Sequence, residues 1–314
     1  MRRVAAVDLG TNSTRLLVAD VADGRVDEVV RRLAITRLGE GVEARRRLLP
    51  LPIARVRNVL SDFRREAESL GAEVTLAVAT SAVRDAENGE AFLGEIEWSY
   101  GFATRLLSGE EEARLTFRGA SSDGGRAERG TLLVDVGGGS TELALDGRVL
   151  ASLPLGCVRQ TELFLASDPP APDELDAAAR SARALLDGVH APGAVAALGV
   201  AGTVTTLAAL DLGLEAYDPE RTHGHVVSRE ALEHQLGRLA ALPLRERRAV
   251  PGLEPGRAPV IVAGLVVLRE VLDRFGLDAI RASERDLLHG AAVEAASLPV
   301  PAEGDAPPGA YTCC

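Results

Sequence analysis

Three glycine-bearing turns and one acidic helix start carry the residues in this 314-residue chain most suited to chemistry. The first turn is Asp8-Leu9-Gly10-Thr11-Asn12-Ser13. An acid at the end of an apolar run holds a metal ion or its water, and a glycine lets the backbone approach an anion. Successive N–H groups, helped by the side chains of Thr11, Asn12 and Ser13, cradle a phosphate. The same residue types also build ordinary hairpin turns, and this turn alone does not separate the two readings.

The second turn, Asp135-Val136-Gly137-Gly138-Gly139-Ser140-Thr141-Glu142, is more pointed. Three adjacent glycines between apolar strands cost backbone entropy, which a flexible hairpin does not require and a bound anion explains. Asp135 and Glu142 flank the turn with oxygen donors of the kind Mg²⁺ takes while keeping several waters. The third, Gly199-Val200-Ala201-Gly202-Thr203, runs from a strand towards a helix. Its amides could meet a phosphate at a helix N-terminus, or it is a tight connection.

In Ser108-Gly109-Glu110-Glu111-Glu112-Ala113-Arg114, acids in a first helical turn suit the macrodipole. The catalytic reading is that one glutamate takes a proton from an attacking water. Thr80, Ser81 and Arg84 follow a strand end, where open α/β sheets take ligands. Arg84 and Arg15 have the fork geometry for phosphate oxygens, with surface ion pairs as the alternative. His223 and His225 lack a third ligand nearby and read as loop residues.

These groups need strands to place them. Residues 3–8 and 14–20 are apolar runs joined by a polar turn, which predicts a hairpin, with a third strand over 26–38. Helical spacing marks 52–70, and a strand over 73–79 leads through a polar loop to a helix at about 88–98. Ser108 and Glu111 have capping-box spacing, so a helix is expected to begin there with Glu112 in its first turn. Residues 121–130 read as an interdomain linker. The strand, acid, glycine turn and strand then recur over 131–145, and this internal echo suggests two lobes of related design. Helices follow at about 173–189, a strand over 194–200, a turn at 201–203 with a helix after it, and a long apolar helix from Arg257 to Phe275.

Composition narrows the function classes. Hydrophobic content of 46% and a mean hydropathy of +0.07 fit a globular chain, and the length suits two domains. No apolar run reaches the roughly 18 residues of a membrane span, so the cytoplasm is the expected compartment. A net charge of −11 argues against a general nucleic-acid binder. Cys157, Cys313 and Cys314 have neither zinc-site nor disulfide-framework spacing. The terminal pair reads as incidental thiols in a tail rather than a lipidation signal. Lysine is absent, so every long basic side chain is arginine.

The ordered set DLGTNSTRL (8–16), ATSAVRDAEN (79–88), SGEEEARL (108–115), DVGGGSTEL (135–143) and GVAGTVTTLAAL (199–210) resembles the exopolyphosphatase/guanosine-pentaphosphate phosphatase (Ppx/GppA) family. The match continues through YDPERTHGH (217–225), GRAPVIVAGLVVL (256–268) and SERDLLHGA (283–291), so it covers nearly the whole chain. The resemblance implies an α/β fold of two ribonuclease-H-like lobes, in the actin-like ATPase superfamily, around a central cleft. It implies domains at 1–121, completed by a C-terminal helix at about 285–298, and at 122–284, with a disordered tail over 299–314.

The implied activity is Mg²⁺-dependent hydrolysis of a terminal phosphoanhydride, releasing orthophosphate from inorganic polyphosphate or a guanosine polyphosphate. Glu112 would activate water, and Asp8, Asp135 and Glu142 would help hold metal. Gly10, Thr11, Asn12, Ser13, Arg15, Arg84, Gly137, Gly138, Gly139, Ser140, Thr141 and Arg257 would hold phosphates. A homodimer fits the family; nucleic acid and membrane are not expected partners. Pro259 stands where the resemblance leads one to expect an aspartate, which leaves the role of Arg257 open. The chain resembles the short form without the HD-type extension, for which a preference for short polyphosphate is expected. The competing readings are a guanosine pentaphosphate phosphohydrolase, an ATP-dependent kinase or ATPase on the same fold, and a non-catalytic sensor of polyphosphate or guanosine tetraphosphate.

Overall fold

The computed structural model describes residues 1–122 and 128–300. Half of the expected linker (123–127) and most of the expected tail (301–314, with Cys313 and Cys314) lie outside the described residues. The chain forms two units, one from Met1–Gly125 with Arg285–Cys314, the other from Arg126–Glu284.

The first unit opens with a meander of three antiparallel strands, β1 (Arg2–Leu9), β2 (Thr14–Ala22) and β3 (Arg25–Ala34). Strand β1 is apolar from Val4 to Val7 and at Leu9 because both of its faces are covered there, and the period-2 alternation deals these residues to two cores. Ala5, Val7 and Leu9 enter one core, Val4 and Ala6 the other. Strand β3 is an edge strand rich in charged residues, which blunts edge-to-edge pairing, and it ends at Ala34 rather than Leu38. A short helix α1 (Val42–Arg45) precedes α2 (Pro50–Ser69), which buries Val56, Leu60, Phe63 and Ala67.

Strand β4 (Thr75–Ala79) then runs parallel to β1. The stretch after it, expected as a loop, contains a one-turn helix, α3 (Ser81–Arg84). Next come α4 (Gly89–Tyr100), β5 (Ala103–Leu106) parallel to β4, and α5 (Gly109–Ala120). The sheet order is β3-β2-β1-β4-β5.

The second unit repeats the plan with β6 (Thr131–Val136), β7 (Thr141–Leu145) and β8 (Arg148–Leu153), again an antiparallel meander. Helix α6 (Cys157–Phe164) follows, unforeseen in the sequence because eight residues between loops give little periodicity to read. Then come α7 (Pro172–Leu186) and β9 (Ala196–Val200), parallel to β6. Helix α8 (Ala201–Asp211) starts at once, so the expected turn at 201–203 is already helical, at the expense of a positive φ of 64° at Ala201.

The unit continues with α9 (Pro219–Thr222), β10 (Val226–Ser228), α10 (Arg229–Ala240), α11 (Leu244–Arg247), α12 (Ile261–Phe275) and β11 (Ala279–Ala282). Helix α12 starts at Ile261 rather than Arg257, just beyond Pro259, which disfavours helical geometry in the residue before it. Its sheet order is β10-β11-β9-β6-β7-β8. Read from the meander outward, both sheets run third, second and first strand and then two parallel strands, and the second sheet adds β10, antiparallel to β11, at its edge. That order is the one expected of ribonuclease-H-like lobes.

The chain then returns to the first unit as α13 (Leu287–Ala295). Two glycines let α13 and α5 touch backbone to backbone. A methyl on Gly119 would stand 1.8 Å from the Asp286 carbonyl oxygen, and one on Gly290 would stand 2.0 Å from that of Leu115. Leu287, Leu288, Ala291, Ala292 and Ala295 complete the core with Val4, Ala6, Leu17 and Val78. Among the described residues, no helix is long and apolar enough to cross a membrane.

Candidate active site

In the first unit, the turn after β1 is held from behind. The Gly10 N–H donates to the Ser13 carbonyl at 3.1 Å. The Thr11 carbonyl accepts from Gly39 N–H at 2.8 Å and the Asn12 carbonyl from Arg37 N–H at 2.9 Å. Thr11 Oγ1 lies 2.9 Å from Ser81 Oγ on α3. With the carbonyls engaged, the N–H groups of Thr11, Asn12 and Ser13 have no acceptor among the described residues, nor does the buried Asn12 Nδ2. Unclaimed donors in one short turn suit an anion, because buried polar groups are otherwise partnered.

Asp8, 4% exposed, sits directly across the hairpin from Arg15. Arg15 Nε and Nη2 both contact Asp8 Oδ2, at 2.9 and 2.7 Å, and Nη1 bonds Asp286 Oδ2 at the start of α13. Asp8 Oδ1 has no hydrogen-bond partner among the described residues. Burial pushes the Asp8 carboxyl above its ordinary pKa, against the lowering effect of the Arg15 charge. Burial also works against ionisation of Asp286, but Arg15 and His289 outweigh it and hold that carboxyl well below the usual range. The expected phosphate fork of Arg15 is therefore committed to two carboxylates instead.

The three glutamates at the start of α5 have three different fates. Glu110 pairs with Arg114 in solvent. Glu111 closes the capping box: its carboxylate accepts from Ser108 N–H at 2.9 Å and Ser108 Oγ at 2.8 Å, and Arg105 holds its other oxygen at 2.5 Å. The Ser108 N–H and the Arg105 contact bring the Glu111 pKa down to about 2. Glu112 is buried, with Arg84 Nη1 3.2 Å from its Oε2. The same Arg84 nitrogen donates to the Leu107 carbonyl at 2.6 Å, so Arg84, expected on phosphate, braces Glu112.

The second unit repeats the turn. Gly137 N–H donates to the Ser140 carbonyl at 3.0 Å. The carbonyls of Gly137 and Gly138 accept from Cys157 N–H at 2.9 Å and Val158 N–H at 2.8 Å, the first amides of α6, and Arg159 Nε takes the Gly139 carbonyl at 2.9 Å. The N–H groups of Gly138, Gly139 and Ser140 have no acceptor among the described residues. Thr141, expected on phosphate, donates its hydroxyl to the Leu155 carbonyl and is fully buried.

Asp135 and Glu142 are register partners across β6 and β7, so their side chains leave the same face of the sheet. Both are buried, and Ser152 Oγ donates to Glu142 Oε1 at 2.8 Å.

The remaining expectations fall elsewhere. A methyl on Gly202 would stand 1.5 Å from Arg257 Nη1, so the space that glycine leaves is filled by a guanidinium. Gly199 lies within β9, where Ile280 and Val204 crowd it. His225 pairs with Asp211 at 2.7 Å, and His223 Nδ1 accepts from Glu284 N–H at 3.2 Å, as loop residues do. Among the described residues no group of three or more His, Cys, Asp or Glu could hold a metal on its own.

The turns also depend on residues that sequence reasoning passed over. A methyl on Gly39 would come 2.2 Å from Thr11 Cγ2, and one on Gly156 would come 2.3 Å from the Gly138 backbone. Their only sequence signal is position: each follows the third strand of its meander.

A model of the Ppx/GppA phosphatase family matches residues 17–298. The chain belongs to the Ppx/GppA phosphatase family. It is 40% identical to exopolyphosphatase 2 of Mycobacterium tuberculosis (strain ATCC 25618 / H37Rv), over 94% of this chain and 99% of that protein. It is 30% identical to the guanosine-5'-triphosphate,3'-diphosphate pyrophosphatase of Vibrio vulnificus, over 92% of this chain and 58% of that protein. The crystal structure of the Aquifex aeolicus Ppx/GppA family member superimposes with a TM-score of 0.76 at 32% identity, covering 93% of this chain and 97% of that one. This Ppx/GppA protein is thus an enzyme, a hydrolase of phosphoanhydride bonds.

Proposed function

We propose that this enzyme removes terminal orthophosphate from inorganic polyphosphate. The observation that carries the reading is the repeated turn: in each unit a buried acid precedes three N–H groups without acceptors among the described residues. Such donors bind phosphate oxygens without selecting a base, and the 40% identical relative of matching length is named an exopolyphosphatase. Guanosine pentaphosphate is the second reading, favoured by the Vibrio vulnificus relative, of which this chain spans 58%.

Asp135 and Glu142 fit a divalent cation. Two carboxylates side by side on one face offer hard oxygen donors, and Mg²⁺ characteristically takes one or two carboxylates with substrate oxygens and water. Such an ion, when bound, neutralises charge on the phosphate oxygens. The chain's own residues do the rest. Within each unit the turn amides, at 11–13 in the first and 138–140 in the second, suit phosphate oxygens. Glu112, kept in place by Arg84, accepts a proton from a water as its oxygen attacks the terminal phosphorus; the bond to the bridging oxygen breaks, and the shortened chain leaves with that electron pair. Phosphoryl transfer needs chiefly such positioning and charge stabilisation.

Orthophosphate release from short polyphosphate, long polyphosphate, guanosine pentaphosphate and ATP, offered in parallel with Mg²⁺, tests this. Release from polyphosphate is expected, and the two lengths test the expected short-chain preference. Glu112→Gln should fold normally and lose about 10²–10⁴-fold in rate. A near-normal rate would remove Glu112 from its role, and no release from any substrate by folded protein would leave the sensor reading in first place.

A further inference from the structure

Arg15 meets Asp8 in an unusual way. The guanidinium fork matches a carboxylate by placing two nitrogens on two oxygens. Here Nε and Nη2 both sit on Oδ2, and Oδ1, in a carboxylate only 4% exposed, is left without a hydrogen-bond partner among the described residues. The reason lies on the other side of the guanidinium, where Nη1 is held by Asp286 Oδ2.

Asp286 is itself fixed by three contacts. Its Oδ1 caps α13, accepting from Leu288 N–H at 3.0 Å, so only Oδ2 is available to Arg15. Its backbone N–H donates to His289 Nδ1 at 3.3 Å. That bond places the imidazole proton on Nε2, which lies 2.8 Å from Glu28 Oε1 on β3. His289 is fully buried. A continuous path, Glu28–His289–Asp286–Arg15–Asp8, therefore ties the edge strand and the last helix to the acid at the first turn.

We propose that Asp286, oriented by His289, is a positioning residue whose pull on Arg15 keeps Asp8 Oδ1 open to a divalent cation. The inference rests on the proposed function together with the expectation from the sequence that Asp8 helps hold metal. Helix capping alone does not account for the arrangement, because a cap uses only Oδ1 of Asp286. Nor does simple neutralisation of Asp8, which a fork over both oxygens would achieve while leaving no orphaned acceptor. Without the Asp286 charge, the guanidinium is released to fork Asp8 and cover Oδ1.

The test is Asp286→Asn, because asparagine caps helices as well as aspartate and removes only the charge. Mn²⁺ binding to the purified full-length protein is measured by calorimetry without substrate, beside a thermal melt. A dissociation constant raised about 10–100-fold, the usual effect of losing an outer-shell partner, is expected in protein that the melt shows to be folded at the temperature of the titration. His289→Gln should shift the constant in the same direction by less, since the charge on Asp286 remains.

Wild-type Mn²⁺ affinity in folded Asp286→Asn overturns the inference, as does a wild-type protein that binds no Mn²⁺. If Asp286→Asn does not fold, Asp286→Ser, which also caps, takes its place. Orthophosphate release is read in parallel: a wild type that binds Mn²⁺ but releases no phosphate overturns the proposed function and leaves the Mn²⁺ comparison standing.

Discussion

The two glycine turns share one backbone device and differ in what stands across the hairpin from the acid. In each, the glycine N–H closes on a serine carbonyl three residues on, the inner carbonyls are claimed from behind, and a distant glycine makes room. Opposite Asp8 stands Arg15; opposite Asp135 stands Glu142. The first unit thus neutralises its acid with a side chain, whereas the second sets two carboxylates together. A sequence can keep a phosphate-binding backbone while changing one cross-strand residue from a guanidinium to a carboxylate.

Reversing those choices should produce opposite results. Arg15→Gln strands Asp8 and Asp286 in a buried setting and should cost about 3–5 kcal/mol in denaturant unfolding. A loss below about 1 kcal/mol, the worth of a surface pair, would break the contrast. Glu142→Gln keeps the side-chain shape and an oxygen for Ser152, and should cost less in denaturant unfolding than Arg15→Gln. Its turnover should fall about 10²–10³-fold, the usual loss when one electrostatic stabiliser is removed. A Glu142→Gln destabilised as much as Arg15→Gln, with full activity, would reverse the assignment.

The supporting glycines give a finer comparison. Gly39→Ala and Gly156→Ala are each expected to cost about 1–3 kcal/mol by overpacking. Gly156→Ala should be the worse, because its methyl meets the Gly138 and Gly139 backbone, while that of Gly39 meets the Thr11 side chain, which can turn. Equal melting temperatures for the two variants would count against this.

The smallest effect belongs to Glu111, whose role is local. Glu111→Gln should cost about 0.5–1 kcal/mol near neutral pH. Because the folded pKa of Glu111 lies at about 2, below its ordinary 4.5, its contribution is present above pH 4.5 and fades as pH falls towards 2. Wild type and variant should therefore converge in stability over that interval, and a gap that persists at pH 2 would contradict the capping account.

What could be read in advance follows the range of the interactions. The Ser108–Glu111 cap and the meander repeat are written in spacings of a few residues, and the structure has both. The Asp8–Arg15 pairing was also within reach: once residues 10–13 form the turn, a hairpin places 8 opposite 15. Asp286, 271 residues from Arg15, was not, because no local pattern records which helix returns to which strand. Arg84 and Arg15 read as phosphate ligands because an arginine's type reveals its fork but not which carboxylate will occupy it. Gly39 and Gly156 escaped notice for a related reason: each is needed by atoms of a turn far from it in sequence.

One topological fact has a consequence in time. Helix α13 belongs to the first unit but is translated after the whole of the second. Domains generally fold as they leave the ribosome, earlier ones first. The second unit is continuous in sequence and has all its strands before α13 appears. The first must wait with Val4, Ala6, Leu17 and Val78 lacking their cover of Leu288, Ala291 and Ala292. Asp286 arrives with that same helix, so the cover that closes the core and the charge that draws Arg15 aside are delivered together. A nascent chain interrupted before residue 286 therefore holds both glycine turns and yet carries an Asp8 whose arginine has nothing to pull it away.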